Sequence, residues 1–324
     1  MVENYRIGVL AGGSSSERQI SLRSGKAVFN ALKGNGFDVL FLDVDENNFL
    51  KRIKENKVDI AFIALHGKFG EDGTVQKILE EEGISYTGSS VEASRLAIDK
   101  LLTKDILRKN GIPVPGYKIV HKGMDISCLD LVYPCVVKPR YEGSSVGLSV
   151  LHSKENLYEA VKTAMRYSDD VIIEDFISGR EVTVGILERK ALPVVEIIAE
   201  TGVYDFDAKY ESSKTKYIVP AELDKDVFCL CQEISLKAHN ALGCGDFSRV
   251  DLRLRAKNEV FVLEINTIPG LTERSLLPMA AKACGLDFLQ VCVKMMGGGM
   301  RSKGKIEKDV ETRFIASHTD VPAV

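Results

Sequence analysis

Short apolar runs punctuate the first third of the chain. Residues 7–11 form one, closed by Gly12-Gly13 and three serines. Residues 39–42 and 59–65 form two more, and the latter reads DIAFIAL. An unbroken apolar run suits a strand covered on both faces, as in a parallel sheet. Between the first two runs, Ser21 stands where it can cap a helix reaching Leu32, which Gly34 would end. Strands alternating with helices predict a doubly wound α/β unit ending near Ser90.

The pattern then changes. A helix starting near Val91 carries Asp99 and Lys100 and stops before the stiff connector at 111–115, GIPVP. A strand at 136–139, a Gly/Ser loop, a helix at 154–167 and a strand at 171–177 predict a second, smaller α+β unit. From Glu181 onward strands dominate: EVTVGIL, PVVEII, SRVDLRL and EVFVLEIN. A helical stretch runs from 276 to about 296, and the segment after Gly297-Gly298-Gly299 is polar and aperiodic, as a flexible tail is. The expected division is 1–90, 91–180, 181–296 and a tail at 297–324. No internal repeat is present.

Bulk properties narrow the function. At 324 residues the chain suits two or three packed units. Its net charge of -3 argues against nucleic acid as a partner. No apolar run approaches the roughly 18 residues of a membrane span, and the first residues enter a strand without a signal-like segment. The seven cysteines are scattered, with no CxxC pair, which fits a reducing, cytoplasmic setting.

Two common phosphate signatures, GxxxxGK[ST] and GxGxxG, are absent. The loop Glu142-Gly143-Ser144-Ser145-Val146-Gly147 nevertheless offers unhindered N–H groups and hydroxyls, with Lys138 just ahead of it. A mobile hairpin with a solvated lysine explains the same residues, and the loop alone does not decide between the two.

The sharpest local signal lies later. Arg249 and Asp251 share one strand face, and so do Glu264 and Asn266. A symmetric hairpin about the turn-like stretch at 256–259 sets Asp251 opposite Glu264 and Arg249 opposite Asn266. Two carboxylates and an amide oxygen then make a hard-oxygen site suited to Mg²⁺. A one-residue slip would scatter the set. A solvated acidic face is the competing reading. Glu174 and Glu181, around Ser178-Gly179, can accept from a ribose or an adenine amine, although solvated turn residues are commoner there. The segment at 266–270, then Ser275-Leu276-Leu277-Pro278, reads as a turn into a helix start. Such starts hold carboxylates or oxyanions, and Ser275 could equally be a plain helix cap.

Taken in order, the segments GGSSSERQIS, ALHGKFGEDGTVQ, YTGSS, IDKLLTK, VVKPRYEGSSVG, IIEDFISGREVTV, DAKYESSKTKYIVPA, SRVDLRL and LEINTIPGLTERSLLPMAA resemble the D-alanine–D-alanine ligase family of the ATP-grasp superfamily. The resemblance covers roughly residues 5 to 296. It implies an ATP-grasp fold preceded by a doubly wound parallel-sheet domain. It implies ATP-dependent joining of two D-alanines through an acyl phosphate, for peptidoglycan precursor synthesis, in the cytoplasm.

The resemblance also implies roles. Glu17 takes the amine of the first D-alanine, with His66 nearby. Ser144 links that glutamate to Tyr210 and closes loops over the site. Lys100, Lys138 and Lys209 hold the ATP phosphates, while Glu174, Phe176, Ile177, Glu181 and Leu263 surround adenine and ribose. Asp251, Glu264 and Asn266 ligate two Mg²⁺ ions, with Mn²⁺ able to substitute. Arg249 and the Gly270 backbone form an oxyanion site, and Ser275 and Leu276 grip the second D-alanine. Family members are typically homodimers.

Relatives that make D-alanyl-D-lactate usually lack the tyrosine of AKY, so Tyr210 favours the dipeptide. A carboxylase-type ATP-grasp protein fits the motif order less well. A non-enzymatic nucleotide binder would have lost lysines or metal ligands. The chain departs from the family at Glu273-Arg274, which are bulkier and more charged than expected, in a short connector at 122–131, and in its tail.

Overall fold

A computed structural model describes residues 5–200, 202, 204, 208–209, 214–255 and 259–301, with side chains through Gly297. Among the described residues it contains three sheets.

The first sheet is parallel. Its strands β1 (Ile7–Gly12), β2 (Val39–Val44), β3 (Ile60–Ile63) and β4 (Ser85–Tyr86) lie in the order β2-β1-β3-β4. Helices α1 (Arg18–Gly34), α2 (Phe49–Glu55) and α3 (Thr74–Glu81) connect them. β1 and β3 are buried on both faces, which explains their unbroken apolar runs. Contrary to expectation, Ser21 does not cap α1; it lies inside the helix and is fully buried. Its hydroxyl donates to the Ala64 carbonyl at 2.7 Å and accepts from the Gly12 N–H at 2.9 Å. The serine pins the helix to two strand ends, and the helix starts four residues earlier than its pattern implied.

The helix expected from Val91 is two helices, α4 (Val91–Ile98) and α5 (Lys100–Lys109). Asp99 interrupts them with an extended backbone and caps α5 by accepting from the N–H groups of Leu101 and Leu102. Its carboxylate also takes a two-pronged contact from Arg140, at 2.9 and 2.6 Å.

The second sheet, β5 (Tyr117–His121), β6 (Cys135–Pro139), β7 (Ser149–Leu151) and β8 (Asp170–Asp175), has the order β5-β8-β6-β7 and is antiparallel. α6 (Leu157–Ala164), preceded by a 3₁₀ turn at Lys154–Asn156, packs on it and is shorter than expected at both ends.

The third sheet holds β9 (Arg180–Leu187), β10 (Lys190–Ala191), β11 (Val195–Ile198), β12 (Lys216–Ile218), β13 (Phe247–Arg255) and β14 (Glu259–Asn266). Its order is β12-β11-β9-β13-β14, with β10 on β9. One face is apolar: Val182, Val184, Ile186, Val250, Leu252 and Val262 pack with α7 (Lys225–Ala241). Strand signals alone were read in this region, so α7 corrects that picture. Its signal was present, because Val227, Cys231, Ser235 and Ala238 are buried at helical spacing.

The expected helix at 276–296 is also two elements, α8 (Leu276–Ala283) and α9 (Phe288–Arg301), bent by 105°. Gly285, at φ +82°, supplies the turn. α9 runs through the triple glycine that was expected to begin the tail. Residues 302–324 lie outside the described residues. Among the described residues, no single helix is long and apolar enough to cross a membrane.

Candidate active site

The β13–β14 hairpin brings its polar face together in the expected register. Arg249 lies opposite Asn266, and Asp251 opposite Glu264. The hairpin is not symmetric throughout, however. The pairing shifts between Asp251 and Leu252, so that Leu252 opposes Val262. The residue left over is Leu263, and it lines the cleft. A bulge that re-aims a side chain at a site is a familiar device.

Two clefts adjoin this face. The narrower, of about 810 Å³, is lined by Lys100, Lys138, Glu174, Phe176, Ile177, Glu181, Lys209, Asp251, Leu263 and Glu264. The larger, of about 2470 Å³, is lined by Glu17, His66, Ser144, Lys209, Arg249, Asn266, Gly270, Ser275 and Leu276. Tyr204 and Lys209 line both. Of the residues singled out in the sequence, only Tyr210 is missing from this set, because it lies outside the described residues.

At the wall of the narrow cleft one carboxylate, Glu174, is surrounded by three lysines, Lys100 and Lys138 from the cleft and Lys104 from behind it. Lys104 and Lys138 approach the same Glu174 oxygen at 2.8 and 3.0 Å, and all three side chains are buried. Burial opposes the Glu174 charge, but the two ammonium groups more than offset it and hold its pKa below the usual value. Burial pushes Lys104 down to about 8, and it also lowers Lys100. The Lys100 ammonium donates to the Glu142 carbonyl at the start of the Gly/Ser loop. These crowded cations favour an added polyanion, which would relieve their mutual repulsion. Lys104 was missed in the sequence. Its signal was its position four residues after Lys100, on the same face of α5.

The Gly/Ser loop is held in an unusual backbone. Ser144 and Ser145 have φ of 48° and 60°, in the left-handed region that disfavours residues with a Cβ. The Ser144 hydroxyl donates to Glu17 Oε1. Ser145 donates to the Tyr204 carbonyl at 3.1 Å. The loop therefore bridges the first sheet and the segment beside the third.

Glu17 lies at the wall of the larger cavity, only 5% exposed, and its Oε2 has no partner among the described residues. Burial and the neighbouring Glu71 raise its pKa. His66 stands between Glu71, 3.5 Å from Nδ1, and Ser24, 3.1 Å from Nε2. Burial alone would lower the His66 pKa, but Glu71 and Glu17 reverse this and the net shift is upward. Ser24 also accepts from the Leu271 N–H at 3.2 Å, tying α1 to the turn before α8.

Ser275 occupies the N-cap position of α8 but makes no side-chain cap bond. Its hydroxyl accepts from the Thr272 N–H at 3.0 Å and contacts the Thr272 hydroxyl at 2.9 Å. Simple capping does not account for it.

On the hairpin face, Arg249 grips Asp251 with two bonds of 2.8 and 2.7 Å, while Thr183 and Asn266 donate to the same carboxylate. Burial opposes the Asp251 charge, and Arg249 outweighs it, so the pKa is lowered. Two carboxylates and an amide suit a hard divalent cation by donor chemistry. Among the described residues there is no ready cluster of three or more His, Cys, Asp or Glu, so a cation there would have to share Asp251 with Arg249.

Comparison with known proteins identifies the family. The family model described as D-ala D-ala ligase C-terminus matches residues 106–297, and its N-terminus counterpart matches residues 47–89. The chain belongs to the D-alanine–D-alanine ligase family. A D-alanine–D-alanine ligase of Syntrophotalea carbinolica is 41% identical, over 93% of this chain and 98% of the relative. A D-alanine–D-alanine ligase structure from Bacillus anthracis, complexed with ATP, superposes with a TM-score of 0.81 at 32% identity, covering 93% of this chain and 99% of that one. The VanG D-Ala:D-Ser ligase structure from Enterococcus faecalis gives 0.79 at 30% identity, covering 92% and 100%. The sheets described above are thus those of a D-alanine–D-alanine ligase family member with the ATP-grasp fold.

Proposed function

We propose that this chain joins two D-alanines into D-alanyl-D-alanine, converting ATP to ADP and phosphate, in the synthesis of peptidoglycan precursor. The observation that carries the reading is the junction of the two clefts. A lysine-rich cleft meets a cavity walled by a buried carboxylate with one free oxygen, and Lys209 borders both.

ATP lies in the narrow cleft, with its base and ribose near Phe176, Ile177, Leu263 and Glu181, near Glu174, and its phosphates near Lys100, Lys138 and Lys209. The ammonium of the first D-alanine pairs with Glu17. Its carboxylate attacks the γ-phosphorus, giving an acyl phosphate and ADP. The lysines offset charge spread over the transferring phosphoryl group. The neutral amine of the second D-alanine, whose carboxylate rests on Ser275 and the backbone at Leu276, attacks the acyl carbon. Arg249 and the Gly270 N–H hold the tetrahedral oxyanion. Phosphate departs with the C–O bond electrons, and the attacking nitrogen gives up one proton to it as the amide forms. Acyl phosphates hydrolyse readily, so the loops carrying Ser144 and Tyr210 act as lids that exclude water.

Two Mg²⁺ ions, replaceable by Mn²⁺, would be held by Asp251, Glu264 and Asn266 and would neutralise phosphate charge. The reading includes units at 1–90, 91–180 and 181–296, a homodimer, and a cytoplasmic location.

The test is phosphate release from Mg-ATP with D-alanine alone, D-alanine plus D-lactate or D-serine, and L-alanine. Release that needs only D-alanine, with the dipeptide found by mass spectrometry, is expected. Depsipeptide or D-alanyl-D-serine as the main product would replace this reading, as would no release under any condition.

A further inference from the structure

Alternate residues of a strand share a face, so the pattern that sets Arg249 and Asp251 on the cleft side of β13 sets Arg253 there too. Arg253 has no part in the chemistry above. It is nonetheless buried, 7% exposed, and it lines the narrow cleft.

Both of its terminal nitrogens are engaged. Nη2 lies 3.0 Å from Glu181 Oε2 and donates to the Gly202 carbonyl at 3.0 Å. Nη1 donates to the Gly179 carbonyl at 3.0 Å. The guanidinium carbon sits 5.4 Å from the centre of the Phe176 ring. Arg253 and Glu181 are direct partners across β9 and β13. Gly179, at φ +130°, lies so close to β13 that a Cβ would collide with the Leu254 carbonyl. The turn therefore presses flat on the strand that carries the arginine.

Every one of these contacts falls on the segment at 176–181 or on the Gly202 carbonyl. A buried ion pair is a poor choice for stability alone, since apolar side chains of similar size do as well. A planar, permanently charged fork is a good choice for fixing a carboxylate and two carbonyls at once. Phe176 and Glu181 flank the proposed base and ribose positions.

We infer that Arg253 is a specificity-determining positioning residue, which holds the Glu181 carboxylate in place to accept from the ribose hydroxyls of the nucleotide. The inference rests on the nucleotide reading of the narrow cleft. It places ribose selection on a pair, of which only the glutamate touches the ligand.

The test uses binding without turnover. Calorimetry on the full chain compares Mg-ADP with its 2′-deoxy and 3′-deoxy forms for the unaltered protein, Glu181→Gln, Arg253→Met and Arg253→Lys. Thermal melting of each confirms folding. The unaltered protein should prefer ADP over at least one deoxy form by about 10-fold or more, the worth of a charge-assisted hydrogen bond. Glu181→Gln and Arg253→Met should each cut that preference to about 3-fold or less, and Arg253→Lys, which keeps charge but loses the fork, should cut it at least about 3-fold. Preference that survives in Glu181→Gln, or is absent from the unaltered protein, overturns the ribose reading and the inference with it. Preference lost in Glu181→Gln but retained in folded Arg253→Met or Arg253→Lys overturns the inference alone. If Arg253→Met does not fold, Arg253→Lys decides.

Discussion

The central antiparallel sheet has two faces made from the same strands, and they obey opposite rules. On one, Val182, Val184, Val250 and Leu252 are fully buried against α7. On the other, Thr183, Asp251 and Arg253 are nearly as buried, and Glu181 is partly so, yet they carry charge and hydroxyls. The polar face keeps its ionised groups because each has an opposite charge or a donor in contact. The histidines on the two sides repeat the contrast. His66 is buried between Glu71 and Ser24 and its pKa is raised. His239, on α7, touches Ser248 at 2.7 Å, lies within the field of Arg189, and is pushed down to about 4 by burial first. Burial sets the cost of charge, and the partner decides whether it is met.

The comparison breaks most sharply at Glu264. Glu264→Gln keeps the shape of the polar face and removes one carboxylate. The expected result is about 10³-fold lower phosphate release at saturating D-alanine, with unfolding free energy changed by less than about 1 kcal/mol. Near-normal turnover would show that the polar face is not the chemical one.

The apolar face should answer in the opposite currency. Leu252→Ala removes a fully buried side chain and should cost about 2–5 kcal/mol in denaturant unfolding. Turnover per folded molecule at low temperature should stay within about twofold. A large loss of turnover with unchanged stability would mean that the two faces are not separate.

The smallest effect concerns the histidines. The folded pKa of His239, about 4, lies below its ordinary 6.5, so the unfolded chain binds the extra proton between those values. Stability therefore falls as pH drops from 6.5 toward 4, by an amount up to about 3 kcal/mol from this residue. His66 works the other way: its raised pKa favours folding below the ordinary value, and that favour is lost as pH rises through the folded one. Unfolding measured against pH should be flatter on the acid side in His239→Asn. Imidazole NMR should find His239 neutral at pH 6 and His66 titrating above the ordinary pKa. Equal titration of both would dissolve the contrast.

Much of this was legible in the chain. After its leading Asp59, DIAFIAL has no polar positions, nor has the run at 7–11, and such strands are covered on both faces. The pairing of Asp251 with Glu264 followed from counting outward from a turn, and it holds. The count succeeded although the hairpin is bulged, because the pairing of Arg255 with Glu259 runs one residue off the count and the shift between Asp251 and Leu252 restores the register at the site. α7 was overlooked among strands because its Phe, Cys, Val and Ile suit either element, and only the spacing of its buried face separates the two. The break at Asp99 had a local sign, an aspartate placed to cap the next helix, whereas the inward use of Ser21 had none, since it depends on Ala64, distant in sequence.

The sequence by itself determined the parallel character of the first sheet, the pairing of the β13–β14 hairpin at the site, and the residue types of the site. Those follow from alternation, spacing and motif order, which are local. Only the tertiary structure decided which charged groups share a neighbourhood: Lys104 with Glu174, Glu71 with His66, Arg253 with Glu181. An ion pair formed between residues up to 72 positions apart, as Arg253 and Glu181 are, depends on distance in space, and Coulomb energy has no memory of distance along the chain.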